Sequence, residues 1–298
     1  MTFRLFIYYC ALGGGWAAFL AWGLLALLGV ASEKGKNLGQ VALVGAFLGM
    51  LVAAVLSLVD SVLNATGGRL GRVLVSGGVG LAGGALGAVL GFMLYEAGGQ
   101  LIWLVAGWMV AGLLIGAASG LFDVLRAHLD NRPVGQPLRK TLNGVYGGLL
   151  GGFLGGFPFG LMLQTRALPV SSNLAIGLTV LGICIGLMVA LAQVVLKEAW
   201  IVVEAGRRAG RQMLLTKDET TIGRAEACDL GLFGEQGIEK LHARIVQKNN
   251  RYFVDDAETP GGTFVNEARV ERPTPLKHGD AIRVGTCVLR FGERQKQR

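Results

Sequence analysis

The side chains able to do catalytic or metal chemistry are few in this chain, and their spacing argues against both. His128, His242 and His278 stand far apart, and Cys10, Cys184, Cys228 and Cys287 form no CxxC pair and accompany no histidine cluster. That pattern offers neither a metal site nor a disulfide framework. The sequence holds no nucleophile–base constellation, no paired carboxylates and no phosphate-cradling glycine loop followed by Lys-Ser/Thr. No catalytic residue, metal or cofactor is therefore expected, and the chain reads as a non-enzyme. Asp60 and Asp123 close apolar runs, with Arg69, Arg72 and Arg126 as the nearest cations in sequence. Their expected role is anchoring at a membrane interface rather than holding an ion.

The elements around these residues are set by composition. Of 298 residues, 52% are hydrophobic, and the mean hydropathy is +0.52, too apolar for an ordinary soluble protein. Residues 1–198 hold 11 Lys/Arg and 6 Asp/Glu, whereas residues 199–298 hold 17 and 14. The net charge of +8 thus divides into +5 and +3. The first excess suits loops facing an anionic lipid surface, so membrane lipid is an expected partner. The second region intersperses both signs without a basic stripe, which argues against nucleic acid.

Six apolar runs, charged only at Asp60 and Asp123, are long enough to cross a bilayer, at approximately Leu5–Val30, Val41–Leu63, Val73–Leu94, Leu101–Leu125, Leu142–Leu163 and Leu174–Leu196. The first reads as a retained helix, the alternative being cleavage after Val30-Ala31-Ser32. Alternating the sides places Arg4, Arg69, Arg72, Arg126, Arg132, Arg139, Lys140, Lys197, Arg207, Arg208 and Arg211 on one face and Lys34, Lys36 and Arg166 on the other. Basic residues mark the cytoplasmic side, so both ends are expected in the cytoplasm of a cell with this protein in its inner membrane.

An internal repeat runs through the helices. Gly49 precedes Asp60 by the eleven residues that separate Gly112 from Asp123, and Ser57-Leu-Val-Asp60 parallels Gly120-Leu-Phe-Asp123. Each is followed by a basic loop and a glycine-saturated helix, and Gly182-xxx-Gly186 starts a truncated third copy. In the fifth helix Gly144, Gly148, Gly152, Gly156 and Gly160 recur every four residues. That period lines one face with positions lacking Cβ, where backbones approach closely. Such faces serve packing, within a bundle or between the protomers of a homo-oligomer, more readily than a transport path. Pro158 should kink that helix.

The last hundred residues change character. Short alternating strands such as Tyr252–Val254, Thr263–Val265, Ile282–Val284 and Val288–Phe291, with an Asn249-Asn250 hairpin signal, argue for an all-β sandwich. Their wording is more specific: Trp200-Ile-Val-Val-Glu204, Gln212-Met-Leu-Leu215, Thr220-Thr-Ile-Gly-Arg224, Leu241-His-Ala-Arg-Ile245, Gly261-Gly-Thr-Phe-Val-Asn266 and Leu276-Lys-His-Gly-Asp-Ala-Ile-Arg-Val-Gly285. In this order and spacing they resemble the forkhead-associated (FHA) domain, a family that binds phosphothreonine peptides.

The resemblance implies a site. In the family an Arg after the first Gly, a Ser three residues before the His, and a Thr-Asn pair before Gly-Thr hold the phosphothreonine and its backbone. Here the Arg is Arg224, the Ser is replaced by Glu239 with Lys240 beside it, and the pair is replaced by Pro260-Gly261. Gly223, His242, Gly262, Thr263 and Asn266 keep the structural motif. A carboxylate where a hydroxyl should donate repels phosphate, so generic phosphothreonine is expected to bind weakly and Glu239 to pair with Arg224 instead. His278, before Gly279-Asp280, belongs to a structural turn. The fold expected is an α-helical membrane bundle of six transmembrane helices (1–198) followed by an all-β FHA-like sandwich (199–298). The function expected is a membrane-anchored signalling adaptor recognising a protein or phosphoprotein of a Ser/Thr kinase pathway. The alternative is a transporter or channel subunit regulated by the same domain.

Overall fold

The computed structural model describes residues 3–30, 37–63, 69–129, 134–164, 169–196, 199–215, 219–248 and 251–294. The chain divides into two compact units, one of helices and one of strands. The helical unit contains α1 (Phe3–Leu27), α2 (Leu38–Leu63), α3 (Arg69–Gly98), α4 (Leu101–Leu129), α5 (Gly135–Gln164) and α6 (Val170–Val195). All six are long and apolar enough to cross a membrane. Glycine ends two of them. After α1, Gly29 adopts φ +70° and the Val30 amide donates to the Leu25 carbonyl at 2.9 Å, a left-handed stop that only glycine adopts without strain. Gly99, at φ +66°, separates α3 from α4 in the same manner.

The glycine faces are seams inside the chain. A Cβ on Gly49 would land on the Gly80 carbonyl oxygen, and one on Gly45 would land on that of Gly84. Between α4 and α5, Gly112 meets the Gly148 carbonyl and Gly116 that of Gly144. The truncated third copy is completed by the first helix, because Gly182 of α6 meets the Gly14 carbonyl and Gly186 that of Cys10. The unit is thus built of three equivalent antiparallel pairs, α2 with α3, α4 with α5, and α6 with α1. Hydrogen bonds cross between pairs: Ser76 Oγ donates to the Ala118 carbonyl at 2.9 Å, and Gln193 Nε2 to Ser119 Oγ at 3.3 Å. Pro158 lies within α5, which continues through it.

The helices α3 and α5 begin earlier than the hydropathy pattern predicts, taking Arg72 and Lys140 out of the expected loops and into the first two turns of these helices. The reason is electrostatic. Arg72 Nη1 lies 3.1 Å from Asp60 Oδ2, while its Nη2 bonds Asp123 Oδ1. Lys140 Nζ lies 2.5 Å from Asp60 Oδ2 and 3.2 Å from Asp123 Oδ2. Each cation bridges both carboxylates, so two positive and two negative groups close a neutral quartet. Asp60 is 2% exposed and Arg72 4%, a burial that unpaired charges would not sustain. The quartet obeys the repeat, since Arg72 stands eight residues before Gly80 and Lys140 eight before Gly148.

The second unit is a sandwich of two sheets. Its strands are β1 (Ala199–Ala205), β2 (Gln212–Leu214), β3 (Glu219–Gly223), β4 (Leu230–Gly231), β5 (Ala243–Lys248), β6 (Arg251–Asp256), β7 (Thr263–Val265), β8 (Ala268–Arg269), β9 (Thr274–Pro275), β10 (Ala281–Val284) and β11 (Cys287–Glu293). One sheet runs β2-β1-β11-β10-β7-β8 and the other β4-β3-β5-β6-β9. The inward faces meet in one core holding Ile201, Leu289 and Phe291 from the first sheet and Ile222, Ile245 and Val254 from the second. Alternating burial along β3, β5, β6 and β10 matches the pleat of a sheet wetted on one side. Asn249-Asn250 lies outside the described residues, but Lys248 pairs with Arg251, the register of a two-residue hairpin. Asn266 and Glu267, at φ +47° and +68°, form the tight turn that pairs Val265 with Ala268.

Candidate functional site

Three loops meet at one end of the sandwich: the segment after β3, the segment before β5 and the β6–β7 connection. Backbone bonds join the first two. The Arg224 amide donates to the Glu239 carbonyl at 2.9 Å, and the Ala225 amide to the Lys240 carbonyl at 3.1 Å. Cys228 Sγ also donates to the Lys240 carbonyl. Gly223 is required where it stands, because a Cβ there would strike that same carbonyl oxygen.

His242 ties in the third loop from beneath. It is fully buried, and its Nδ1 accepts the Glu239 amide at 3.1 Å. The proton must therefore sit on Nε2, which lies 3.2 Å from both the Gly262 carbonyl and Thr259 Oγ1. Thr259 gives its own hydroxyl proton to Asp256 Oδ1 at 3.0 Å, leaving its oxygen to accept from the ring. Asp256 further accepts the Thr259 amide at 2.9 Å and the Thr263 hydroxyl at 2.6 Å. Burial opposes ionisation of Asp256, but the Thr263 hydroxyl, the Thr259 amide and hydroxyl and the His242 ring together hold its carboxyl below the ordinary value. His242 and Thr263 are thus structural, as the resemblance implies. Asp256 and Thr259 complete a scaffold that no sequence motif announces.

Above the scaffold the expected surface residues assemble. Arg224, Glu239, Lys240, Pro260 and Gly261 are all exposed. Arg224 Nη2 lies 3.7 Å from Glu239 Oε2, with side chains 53% and 50% exposed. The Arg224 guanidinium therefore already holds a carboxylate of its own chain. At that separation in water the attraction is about 1 kcal/mol, a weak surface pair. Gly261 has no positive φ, and a Cβ there would lie 3.4 Å from the Gly237 carbonyl and 3.8 Å from His242 Cε1, ordinary contact distances. Backbone geometry does not require glycine at this position. Gly262, at φ +65°, is the opposite case.

Asn266 lies away from this surface. Its side chain donates to Asp280 Oδ1 and accepts the Ala281 amide, each at 2.9 Å, which fixes the β7–β8 turn. His278 accepts the Glu293 amide at Nδ1, again a turn role. Of the arginine-rich loop, Arg208 lies 4.6 Å from the centre of the Phe233 ring. Among the described residues no cluster of three metal-binding side chains occurs.

The two-sheet sandwich with its buried His–Thr–Asp scaffold matches a known family: residues 220–285 form an FHA domain. FHA domains are modules of phosphothreonine-dependent protein recognition. Among curated proteins, this region is similar to the glycogen accumulation regulator GarA of Mycobacterium tuberculosis, 32% identical over 100 residues, 34% of this chain and 60% of that one. It is likewise similar to the FHA domain-containing protein FhaB of Mycolicibacterium smegmatis, 28% identical over 89 residues, 30% of this chain and 57% of that one. The chain thus spans little more than half the length of these relatives. Among solved structures, the FhaA FHA domain complexed with the intracellular domain of Rv3910 is 26% identical over 31% of this chain and 98% of that chain, with a TM-score of 0.29.

Proposed function

We infer that this chain is a membrane-anchored signalling adaptor. Its six apolar helices cross the inner membrane with both ends in the cytoplasm, and its FHA domain recognises a protein partner there. The excess of Lys/Arg on one set of loops supports the orientation. The alternative of a transporter or channel subunit draws less support, because the quartet's ionisable side chains are locked to one another rather than lining a path.

The observation that carries the recognition mode is the Arg224–Glu239 pair at 3.7 Å. A phosphothreonine must displace Glu239 and then tolerate its charge, without the hydroxyl and amide that Pro260-Gly261 and Glu239 replace. Recognition therefore falls to a partner that supplies a cation to Glu239 or contacts the loops without phosphate. The test is a pull-down with residues 199–298, with and without phosphatase treatment of the lysate. Capture indifferent to phosphatase is expected. Capture abolished by phosphatase, and by Arg224→Ala, would return the domain to ordinary phosphate reading.

A further inference from the structure

At the end of the helical unit opposite the charged quartet, five of the helices leave a cavity of about 190 Å³. It lies where α2 and α4 begin and α3 and α5 end. Its deep wall is apolar, built from Val44, Leu104, Trp108 and Phe159. Trp108 and Phe159 are 3% exposed and stack edge-to-face with centroids 5.0 Å apart, which makes that wall rigid. Its rim is polar, from Gln40, Tyr95, Glu96 and Gln164. An apolar cavity near 150 Å³ suffices for a benzene-sized group, so this one admits a ring or the first several carbons of a single chain. It does not admit a whole acyl chain.

The chemistry of wall and rim is that of an amphiphile. Apolar carbons would be enclosed by the wall, and a polar head would meet the rim. The rim supplies one carboxyl, from Glu96, and donors from the two glutamine amides and the Tyr95 hydroxyl. A head bearing both an ammonium and a phosphate satisfies all of them, the ammonium at Glu96 and the phosphate oxygens at the amides and hydroxyl. A bulky trimethylated head lacks the N–H donors that a carboxylate accepts. We propose that this cavity is a selective site for one bilayer phospholipid with a primary-amine head, such as phosphatidylethanolamine. The upper part of one of its chains lies against Trp108 and Phe159. This inference rests on the membrane-anchored reading, because the ligand is drawn from the surrounding bilayer.

The test uses the full chain, first in its membranes and then in lipid nanodiscs. Alkaline carbonate washing establishes whether the chain is integral. Native mass spectrometry then counts retained lipid from equimolar phosphatidylethanolamine and phosphatidylcholine. One tightly retained phosphatidylethanolamine is expected, preferred over phosphatidylcholine. Glu96→Gln, at an exposed position, should reduce that preference by about threefold, the scale of one exposed charge pair. Val44→Phe should fill the cavity and reduce retention of both lipids to the level of the annular background. A brominated-chain phosphatidylethanolamine should quench Trp108 fluorescence in the parent chain and not in Val44→Phe, with Trp108→Phe identifying the signal. A chain that resists carbonate yet retains both lipids equally, or retains them unchanged in Val44→Phe, overturns the lipid site and leaves the adaptor reading intact. Extraction by carbonate overturns both.

Discussion

Glu239→Ser combined with Gly261→Asn should convert this surface into a phosphothreonine reader. The parent domain starts from Arg224 paired to Glu239 at 3.7 Å with both side chains half exposed, worth no more than about 1 kcal/mol. Removing that pair is therefore a minor part of the gain. The larger part is the repulsion between Glu239 and a phosphate of nearly two charges a few ångströms away, about 2 kcal/mol even in a water-like dielectric. A serine hydroxyl and an asparagine amide then each add a hydrogen bond, about 1.5 kcal/mol where the acceptor is charged. Discounting for non-additivity, the double variant should bind a phosphothreonine peptide at least about a hundredfold more tightly than the parent. The backbone permits it, because Gly261 has ordinary φ and room for a Cβ at 3.4 Å. Calorimetry on residues 199–298 against one peptide, phosphorylated and not, measures the difference. Micromolar phosphate-dependent binding by the parent, lost in Arg224→Ala, would refute the reasoning. So would a folded double variant with no gain.

Other expectations follow from the same geometry. Arg72→Met removes a buried cation that bridges Asp60 and Asp123 and should destabilise the helical unit by about 3–5 kcal/mol; thermal unfolding in detergent that matches the parent would contradict this. Gly148→Leu forces a side chain onto the Gly112 carbonyl and should abolish folded yield, whereas Leu150→Ile, at a position 46% exposed, should be nearly silent; equal tolerance would remove the seam argument. The Asp256 carboxyl is held below its ordinary 3.8, so its contribution is present above that value and is lost as pH falls through the lower folded one. Melting of the isolated domain should therefore fall below about pH 4, and Asp256→Asn should flatten that dependence; an unchanged profile would show that another carboxylate governs it. A cysteine replacing Val134, exposed before α5, should react with an impermeant maleimide only after the cells are opened, and labelling of intact cells would reverse the proposed orientation.

How far the sequence discloses this structure depends on the range of the forces involved. Six helices are legible because the hydropathy of twenty consecutive residues is a local quantity. The starts of α3 and α5 are not, since Arg72 and Lys140 look like loop residues until Asp60 and Asp123 are brought to them from other helices. Nor is helical phase legible to one residue: Leu149 is half-buried, whereas its neighbour Leu150 is exposed. In the sandwich, the spacing from Gly223-Arg224 to His242 to Gly262-Thr263 discloses the fold and its loop surface together. The pairing of Arg224 with Glu239 can be anticipated because both positions are fixed by that spacing. The Asp256–Thr259–His242 relay cannot, because its members acquire meaning only from hydrogen bonds between segments.

The pairing of α6 with α1 sets a schedule. A ribosome delivers the Gly14 face first and its complement, Gly182 and Gly186, last, so the opening helix has no seam partner while four others are made. The intervening pairs, each formed by neighbours in sequence, can close as they emerge. The third pair closes only when the sixth helix arrives, before the first strand of the sandwich is translated. A nascent chain interrupted before that point carries the Gly14 face of α1 without its partner. The strands are thus synthesised only on chains that have received the last helix needed to complete the third pair.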